Sequence, residues 1–235
     1  MRISEIFRSF QGEGCLAGTP SVFVRTGVCN LRCVWCDTRY TSWEPQWADR
    51  TVESIETEVL RLAADEKISH VVITGGEPTL EPEHLTDLCV RLSPRFHITI
   101  ETNATKFLPV EAHLISMSPK LANSTPPAVS DAARAHDSAR ISADVIRSFL
   151  RACDGSASRD CQVKFVIEQE SDLEEVRDLE HAIPIPREKI LLMPQSVEPA
   201  DCIRKSAWLR ELAARSGYGF SPRLHIERFG NRRGV

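Results

Sequence analysis

The chain has 235 residues, of which 42% are hydrophobic and 26% are charged, as in an ordinary globular protein. Its net charge of −4 argues against a nucleic-acid partner, and no apolar run approaches the roughly 18 residues that cross a bilayer. The opening stretch MRISEIFRSFQGEG lacks the apolar segment of a secretory signal. We therefore expect a cytoplasmic protein with no membrane partner.

In the first half of the chain, strand-like and helix-like segments alternate. A first strand leads into a polar, glycine-bracketed loop, QGEG. Short apolar runs predict strands over 21–25, 70–74 and 96–101, and apolar residues at helical spacing predict helices over 52–65 and 83–92. Thr51 is placed to act as the N-cap of the first helix.

The second half continues the alternation, with one interruption. We predict strands over 113–118, 161–167 and 190–193, and helices over 143–152, 173–181 and 202–215. The stretch 122–140, rich in Ala, Ser and Pro, is predicted to be a loop-like insertion that is too short to be a domain. Alternating strands and helices indicate parallel pairing, so we expect one domain with a layered α/β or barrel fold.

Polar loops follow four of the predicted strands. The cysteine-rich stretch GVCNLRCVWCDTRYT follows the strand 21–25, and Thr-Gly-Gly-Glu-Pro follows the next. Thr102-Asn103 and Ser118-Pro119-Lys120 follow two later strands. Because the carboxyl ends of parallel strands share one edge, we expect a ligand site there.

Cys29, Cys33 and Cys36 lie within eight positions in Cys-x3-Cys-x2-Cys spacing. Three thiolates on one loop can ligate three irons of a [4Fe–4S] cluster, or zinc with a distant fourth ligand. The cluster is favoured because structural zinc sites usually pair two two-ligand units, and the sequence has no second Cys-x2-Cys or His-x3-His. Three of the scattered cysteines, Cys89, Cys153 and Cys161, are expected to be small buried apolar residues.

The loop Thr74-Gly75-Gly76-Glu77-Pro78 is a weaker signal on its own. Glycines after a strand allow a ligand to approach the backbone, and a glutamate can accept from an ammonium group. A Gly-Gly turn before a Pro-initiated helix is also common in proteins that bind nothing there. The loop becomes specific only beside the cysteine motif.

Together these motifs resemble the radical S-adenosylmethionine enzymes. Within them, the ordered set Phe10–Gly14, Phe23–Arg25, Cys36–Thr38, Glu101–Asn103 and Ser118–Lys120 resembles the 7-carboxy-7-deazaguanine synthase family. The ending from Leu224 to Val235 fits that family too, so the resemblance runs from about residue 3 to the C-terminus.

The resemblance implies a partial (βα) TIM-type barrel of about six parallel strands, forming one domain over 1–235. It implies a lyase that converts 6-carboxy-5,6,7,8-tetrahydropterin to 7-carboxy-7-deazaguanine and ammonia, on the route to queuosine and other 7-deazapurines. The implied cofactors are a [4Fe–4S] cluster, S-adenosylmethionine and Mg²⁺. The implied partners are the small pterin substrate, an external electron donor such as flavodoxin, and a second copy of the chain in a homodimer.

The resemblance also assigns residues. Cys29, Cys33 and Cys36 would bind the cluster and Thr38 the Mg²⁺. The residues toward S-adenosylmethionine would be Gly75, Gly76, Glu77, Asn103, Ser118, Pro119, Lys120 and Gln195. Those toward substrate would be Phe10, Gln11, Gly12, Glu13, Arg25, Thr74 and Val235, with Glu13 and Arg25 as the catalytic pair. His225 is the histidine to test.

Several alternatives stay open at this level. QGEG can be a plain hairpin turn, Arg25 a structural ion pair, Thr38 a loop hydroxyl and Lys120 a surface lysine. Three departures from the family pattern are Ala104 in place of a common glycine, a loose match at 193–196, and the insertion 122–140. A glycyl-radical-enzyme activase and a non-catalytic zinc module are the alternative functions.

Overall fold

The computed structural model describes residues 1–64, 66–127 and 130–235. The strands are β1 (Arg2–Phe10), β2 (Pro20–Thr26), β3 (Ala48–Asp49), β4 (His70–Gly75), β5 (His97–Thr102), β6 (Leu114–Met117), β7 (Asp160–Ile167), β8 (Ile190–Pro194) and β9 (Gly219–Phe220). The helices are α1 (Val52–Ala64), α2 (Pro82–Leu92), α3 (Asp131–Ala139), α4 (Ala143–Cys153), α5 (Asp172–Ala182), α6 (Pro199–Ser216) and α7 (Leu224–Phe229).

The strands form a single mixed sheet in the order β3-β1-β2-β4-β5-β6-β7-β8-β9. β2 and β4 to β9 pair in parallel, whereas β1 is antiparallel to both β2 and β3. The six strands that the sequence predicted make up the parallel part, and the two-residue β9 extends it. The linear strand order makes the barrel partial. Among the described residues, no helix is both long and apolar enough to span a bilayer.

The two faces of β7 show how the sheet places the site. Val163, Phe165 and Ile167 belong to the hydrophobic core, in which residues of the surrounding helices also take part. Side chains alternate along a strand, so Gln162 and Lys164 point to the opposite face. That face is polar, because Gln162 donates from Nε2 to Ser116 Oγ of β6 at 2.8 Å. We call this polar face, opposite the hydrophobic core, the inner face of the sheet.

Every predicted strand and helix is present, with ends that move by up to three residues. Thr51 caps α1 as expected, since its hydroxyl accepts from the Ser54 N–H at 3.2 Å. The predicted end of that helix at Asp65 lies outside the described residues. One prediction was wrong: the insertion 122–140 is not all loop, because residues 131–139 form α3 with Ser130 as N-cap. Cys89, Cys153 and Cys161 are buried as expected.

His70 lies at the start of β4 and is 2% exposed. Its Nδ1 is 2.7 Å from Ser21 Oγ and its Nε2 is 2.8 Å from Thr99 Oγ1. Burial, and then the neighbouring His97 and His113, lower the pKa of His70 to about 4. The unfolded chain therefore binds a proton first as the pH falls, so this contribution to stability is full above pH ~6.5 and decreases below it.

We expect the free energy of unfolding to fall by roughly 2 kcal/mol more in wild type than in His70→Gln between pH 7 and pH 5. Denaturant titrations at both pH values measure this difference. His84→Gln, at an exposed histidine of α2, is the control and should follow wild type. Equal pH dependence in wild type and His70→Gln would contradict the prediction.

Candidate functional site

A cavity of about 470 Å³ opens where the loops after the parallel strands meet. It takes in the cysteine loop (residues 27–38) and the loops after β1, β4, β5 and β6. The predicted residues that line it are Phe10, Gln11, Gly12, Glu13, Arg25, Cys29, Cys33, Cys36, Thr38, Thr74, Gly75, Gly76, Asn103, Ser118, Lys120 and Val235. Glu77, Pro119 and Gln195 are predicted cofactor residues outside this lining.

A second, larger cavity of about 870 Å³ lies at the opposite end of the strands. Its wall includes His97, His113, Lys189 and the loop around Gly155. It is not the candidate site, because the cysteine loop and the strand-end motifs all belong to the first cavity.

The three cysteines of the cysteine loop share the first cavity. Burial raises the pKa of Cys29 to about 11 and that of Cys33 to about 12. Repulsion adds to both shifts, from Glu77 and Cys36 at Cys29 and from Cys36 and Cys29 at Cys33. Cys29 Sγ accepts from the Leu31 N–H at 3.4 Å, and Cys36 Sγ accepts from Ser42 Oγ at 3.3 Å. Three thiolates become stable in this partly buried loop only beside positive charge, so the donor set fits an iron–sulfur cluster.

The spacing of these sulfurs disfavours zinc. Among the described residues, the one set of three His, Cys, Asp or Glu side chains with ligand atoms within 4.8 Å of one another is Glu13, Asp37 and His225. At least one pair of the three cysteine sulfurs is therefore more than 4.8 Å apart, beyond the ~3.8 Å between two ligands of a tetrahedral zinc with bonds of ~2.3 Å. A multi-iron centre, whose cysteine ligands bind different irons, does not require the three sulfurs to lie that close.

The Gly75-Gly76 pair lets the loop after β4 pack against the cysteine loop. A Cβ on Gly76 would lie 2.1 Å from the Val28 carbonyl oxygen, so no side chain fits there. The next residue, Glu77, is 1% exposed. Its carboxylate accepts from the Asn103 N–H at 2.7 Å and from Thr102 Oγ1 at 2.8 Å. Glu77 thus connects the loops after β4 and β5 behind the cavity wall.

The other residues predicted to bind S-adenosylmethionine divide into two groups. Lys120 Nζ donates to Ser118 Oγ at 2.7 Å and lies 5.8 Å from the centre of the Trp35 ring. Asn103 Nδ2 donates to Asn30 Oδ1 at 3.0 Å, on the cysteine loop. Gln195 instead accepts from Lys205 Nζ of α6, outside the cavity lining. The structure therefore brings the first group to the cysteines and leaves Gln195 apart.

A buried ion network crosses the inner face of the sheet. Lys164 of β7 is 1% exposed, and its Nζ lies 2.8 Å from both Glu13 Oε2 and Glu101 Oε2. Burial favours the neutral lysine, but the two carboxylates outweigh it and raise the pKa of Lys164. Burial would likewise raise the pKa of Glu13, but Lys164 and Arg223 hold it well below the usual range. Gln11 Nε2 donates to Glu101 Oε1 at 3.1 Å.

A second charged group borders the cysteine loop. Arg223 bridges Glu13 and Asp37, with 3.3 Å between its Nε and Glu13 Oε1. Burial lowers the pKa of His225 to about 4, so the ring is neutral near pH 7. A Cβ on Gly12 would lie 2.0 Å from His225 Nδ1, which explains a glycine at that position. Thr38 Oγ1 is 3.4 Å from Thr41 Oγ1, beside this group.

Arg25 is both an ion pair and a cavity residue. Its Nε donates to Glu5 Oε1 at 2.6 Å, and its guanidinium lies over the Phe7 ring at 5.5 Å. Tyr40 donates from its hydroxyl to the same glutamate oxygen at 2.8 Å. Glu5 therefore fixes the orientation of the guanidinium at the cavity wall.

Sequence reasoning missed three of the cavity residues: Glu101, Lys164 and Arg223. Glu101 lay within a recognised motif but received no role. Lys164 carried a usable signal, since a single lysine interrupts the apolar strand CQVKFVI. Arg223 carried none, because its acidic partners are 210 and 186 residues away.

The sequence is similar to a known enzyme superfamily and to two curated relatives. Residues 23–123 match the model of the radical SAM superfamily. The chain is 39% identical to a 7-carboxy-7-deazaguanine synthase of Rhodopirellula baltica, over 99% of this chain and 88% of the relative. It is 40% identical to the enzyme of that name from Halobacterium salinarum, over 95% of this chain and 88% of the relative.

Two solved structures have a fold similar to that of this chain. QueE from Escherichia coli has a TM-score of 0.68 at 23% identity, and the match covers 95% of this chain and 94% of that one. SuiB of Streptococcus suis bound to S-adenosylmethionine has a TM-score of 0.54 at 16% identity, over 86% of this chain and 50% of that one. The partial barrel is thus shared with both.

Proposed function

The chain belongs to the 7-carboxy-7-deazaguanine synthase family of radical S-adenosylmethionine enzymes, and we propose that it converts 6-carboxy-5,6,7,8-tetrahydropterin to 7-carboxy-7-deazaguanine with loss of ammonia. The main support for this proposal is that the cysteine loop lines the same cavity as several carboxylate and guanidinium groups. A cavity of about 470 Å³ favours a small heterocycle over the protein substrate of a glycyl-radical-enzyme activase.

The cysteine-loop side of the cavity would hold the cofactors. Cys29, Cys33 and Cys36 are proposed to bind a [4Fe–4S] cluster. A cluster held there would supply, together with bound S-adenosylmethionine, the radical chemistry that activates the substrate. The residues proposed for S-adenosylmethionine are Gly75, Gly76, Asn103, Ser118 and Lys120, supported by their place in the lining. Glu77, Pro119 and Gln195 would act only through neighbouring residues.

The opposite side of the cavity would bind the pterin. Glu13 and Gln11 offer acceptors to the N–H groups of its ring, and Arg25 offers a guanidinium to its carboxylate. Phe10, Gly12, Thr74 and Val235 also line the cavity and are proposed to contact the substrate. Orientation is the main task of these residues, because a carbon radical is unselective unless its target atom is held close.

Mg²⁺ is proposed between the two sides. Thr38 offers a hydroxyl oxygen, and oxygen is the ligand that Mg²⁺ prefers. Asp37 and Glu13 add carboxylates nearby, although Arg223 already neutralises part of their charge. The substrate carboxylate would supply a further oxygen ligand.

The cellular setting is also a proposal. All eight cysteines are free thiols, which fits a reducing cytoplasm. An external electron donor such as flavodoxin and a homodimeric assembly are proposed from the family alone.

Product analysis tests the function directly. Anaerobically reconstituted protein is incubated with 6-carboxytetrahydropterin, S-adenosylmethionine, a reductant and Mg²⁺, and the mixture is analysed by mass spectrometry. We expect 7-carboxy-7-deazaguanine, in an amount that falls when a chelator removes Mg²⁺. Cleavage of S-adenosylmethionine with the pterin unchanged would overturn the proposal.

Arg25→Ala is expected to raise the substrate KM by about 10- to 100-fold, because a charge-assisted hydrogen bond contributes ~1.5–3 kcal/mol. The affinity for S-adenosylmethionine should change little. Steady-state kinetics in each ligand measure both effects, and Arg39→Ala, at an exposed arginine of the same cavity mouth, is the control. Equal losses for the two ligands would remove the carboxylate role of Arg25.

A further inference from the structure

The insertion 122–140, to which the sequence assigned no role, contacts the cysteine loop directly. The Arg32 N–H donates to His136 Nδ1 at 3.0 Å. The Val34 N–H donates to the Ser124 carbonyl oxygen at 2.8 Å. The Trp35 indole donates from Nε1 to the Asn123 carbonyl oxygen at 2.9 Å. These donors lie at positions 32, 34 and 35, around Cys33 and next to Cys36, so the insertion holds the part of the loop that carries two ligands.

The insertion is itself attached to the barrel. Asn123 Nδ2 donates to the Val166 carbonyl oxygen of β7 at 3.0 Å and to Asp172 Oδ2 of α5 at 2.7 Å. Arg140, which follows α3, pairs with Glu175 of α5 at 2.5 Å. Two of the three contacts to the cysteine loop therefore come from backbone that is anchored to β7 and α5, and the third comes from the His136 side chain.

His136 is the side chain that completes this connection. It is 1% exposed, and its Nε2 lies 2.9 Å from Ser124 Oγ. The Ser124 hydroxyl donates to the Leu121 carbonyl oxygen at 2.6 Å, so its oxygen is left to accept from Nε2–H. The proton on Nε2 leaves Nδ1 as the acceptor for the Arg32 N–H. The hydrogen-bond chain thus sets the tautomer that the cysteine loop needs.

We propose that the described part of the insertion, residues 122–127 and 130–140, is a clamp that positions the cysteine loop for its iron–sulfur cluster, with His136 as the positioning residue. The inference rests on the proposed cluster site and adds to it the groups that hold the loop. Residues 27–38 contain no helix or strand, and fixing each irregular residue costs conformational entropy. A clamp that fixes the loop beforehand reduces this cost when the cluster binds.

The test compares His136→Leu, which fills the space without an acceptor, with His136→Asn, whose Oδ1 stands in for Nδ1. Reconstituted proteins are exposed to an iron chelator, and the loss of cluster absorbance is followed. We expect His136→Leu to lose its cluster about tenfold faster than wild type, and His136→Asn to stay within about threefold. His181→Leu, at an exposed histidine of α5, should match wild type.

A second measurement separates positioning from general damage. In cluster-free protein, amide hydrogen exchange at Arg32 and Val34 should accelerate in His136→Leu, while the amides of β4 and β5 stay protected. If His136→Leu fails to fold, His136→Asn keeps the proposal falsifiable: rapid cluster loss in that variant while the Arg32 amide stays protected would overturn the clamp. Wild-type cluster retention and unchanged exchange in the folded variant would overturn the clamp. A wild-type protein that assembles no cluster would overturn the proposed function instead.

Discussion

Cys33→Ala should lose the cluster and, with it, all reductive cleavage of S-adenosylmethionine above background. Cys33 is 7% exposed and lies between the other two ligands, and in the described residues no spare cysteine lines the cavity. Two thiolates leave a second iron without a protein ligand, so the cluster has too few ligands to persist. The barrel itself should survive, because Cys33 belongs to a loop and not to the hydrophobic core cluster.

The measurement is iron and sulfide content after anaerobic reconstitution, together with 5′-deoxyadenosine production. Wild type should hold about four irons per chain, as a [4Fe–4S] centre requires. Cys15→Ala is the matched control, because Cys15 is exposed and does not line the cavity. Retention of 5′-deoxyadenosine production in Cys33→Ala, or one zinc per chain in wild type, would contradict the cluster assignment.

The parallel part of the fold could be predicted because its signals are local. A strand buried between helices and an inner face needs a short apolar run, and each of the six predicted parallel strands carries such a run in this sequence. The antiparallel β1 and the two-residue β3 and β9 were less accessible. Their pairing depends on what lies beside them in the folded chain and not on their own composition.

The helix α3 shows where local reasoning fails. Its sequence DAARAHDSA has no apolar residue larger than alanine, so its two faces differ in charge and polarity and it carries no stripe of large apolar side chains. Two tertiary contacts support it instead: the buried His136, and the pairing of Arg140 just beyond its end with Glu175. Only the folded chain shows that this segment reaches the cysteine loop.

The candidate site likewise contains residues that local sequence patterns predicted and residues that only the folded chain brings together. The cysteine motif and Gly75-Gly76 are short-range patterns, and the structure brings both to one cavity. The charge network could not be inferred, because Lys164 is 151 residues from Glu13 and 63 from Glu101. A single lysine in an apolar strand signals a buried partner, but it does not say which carboxylate.

Lys164→Met is the second substitution with a large expected effect. It removes the positive charge that two carboxylates share, and the remaining Glu13 and Glu101 side chains are only 17% and 16% exposed. Breaking a buried ion pair from one side costs about 3–5 kcal/mol of unfolding free energy. We also expect at least ~100-fold slower product formation, since a shift of the Glu13 carboxylate would misplace the substrate.

Denaturant unfolding and steady-state kinetics measure the two effects. Lys189→Met is the matched control: its partner Asp160 is largely exposed, so that surface pair should contribute less than about 1 kcal/mol. If Lys164→Met unfolds at the wild-type denaturant concentration, the buried network does not stabilise the fold and the prediction is wrong.

A double variant separates charge balance from catalytic positioning. Lys164→Met with Glu101→Gln removes one charge of each sign, so we expect it to regain about 1–3 kcal/mol of the stability that the single variant lost. Activity should stay low, because Glu13 still lacks the ammonium group that holds it at 2.8 Å. Recovery of both stability and turnover would show that Lys164 only balances charge. Recovery of stability alone would show that the same lysine holds the inner face of the sheet together and aligns the carboxylate that meets the substrate.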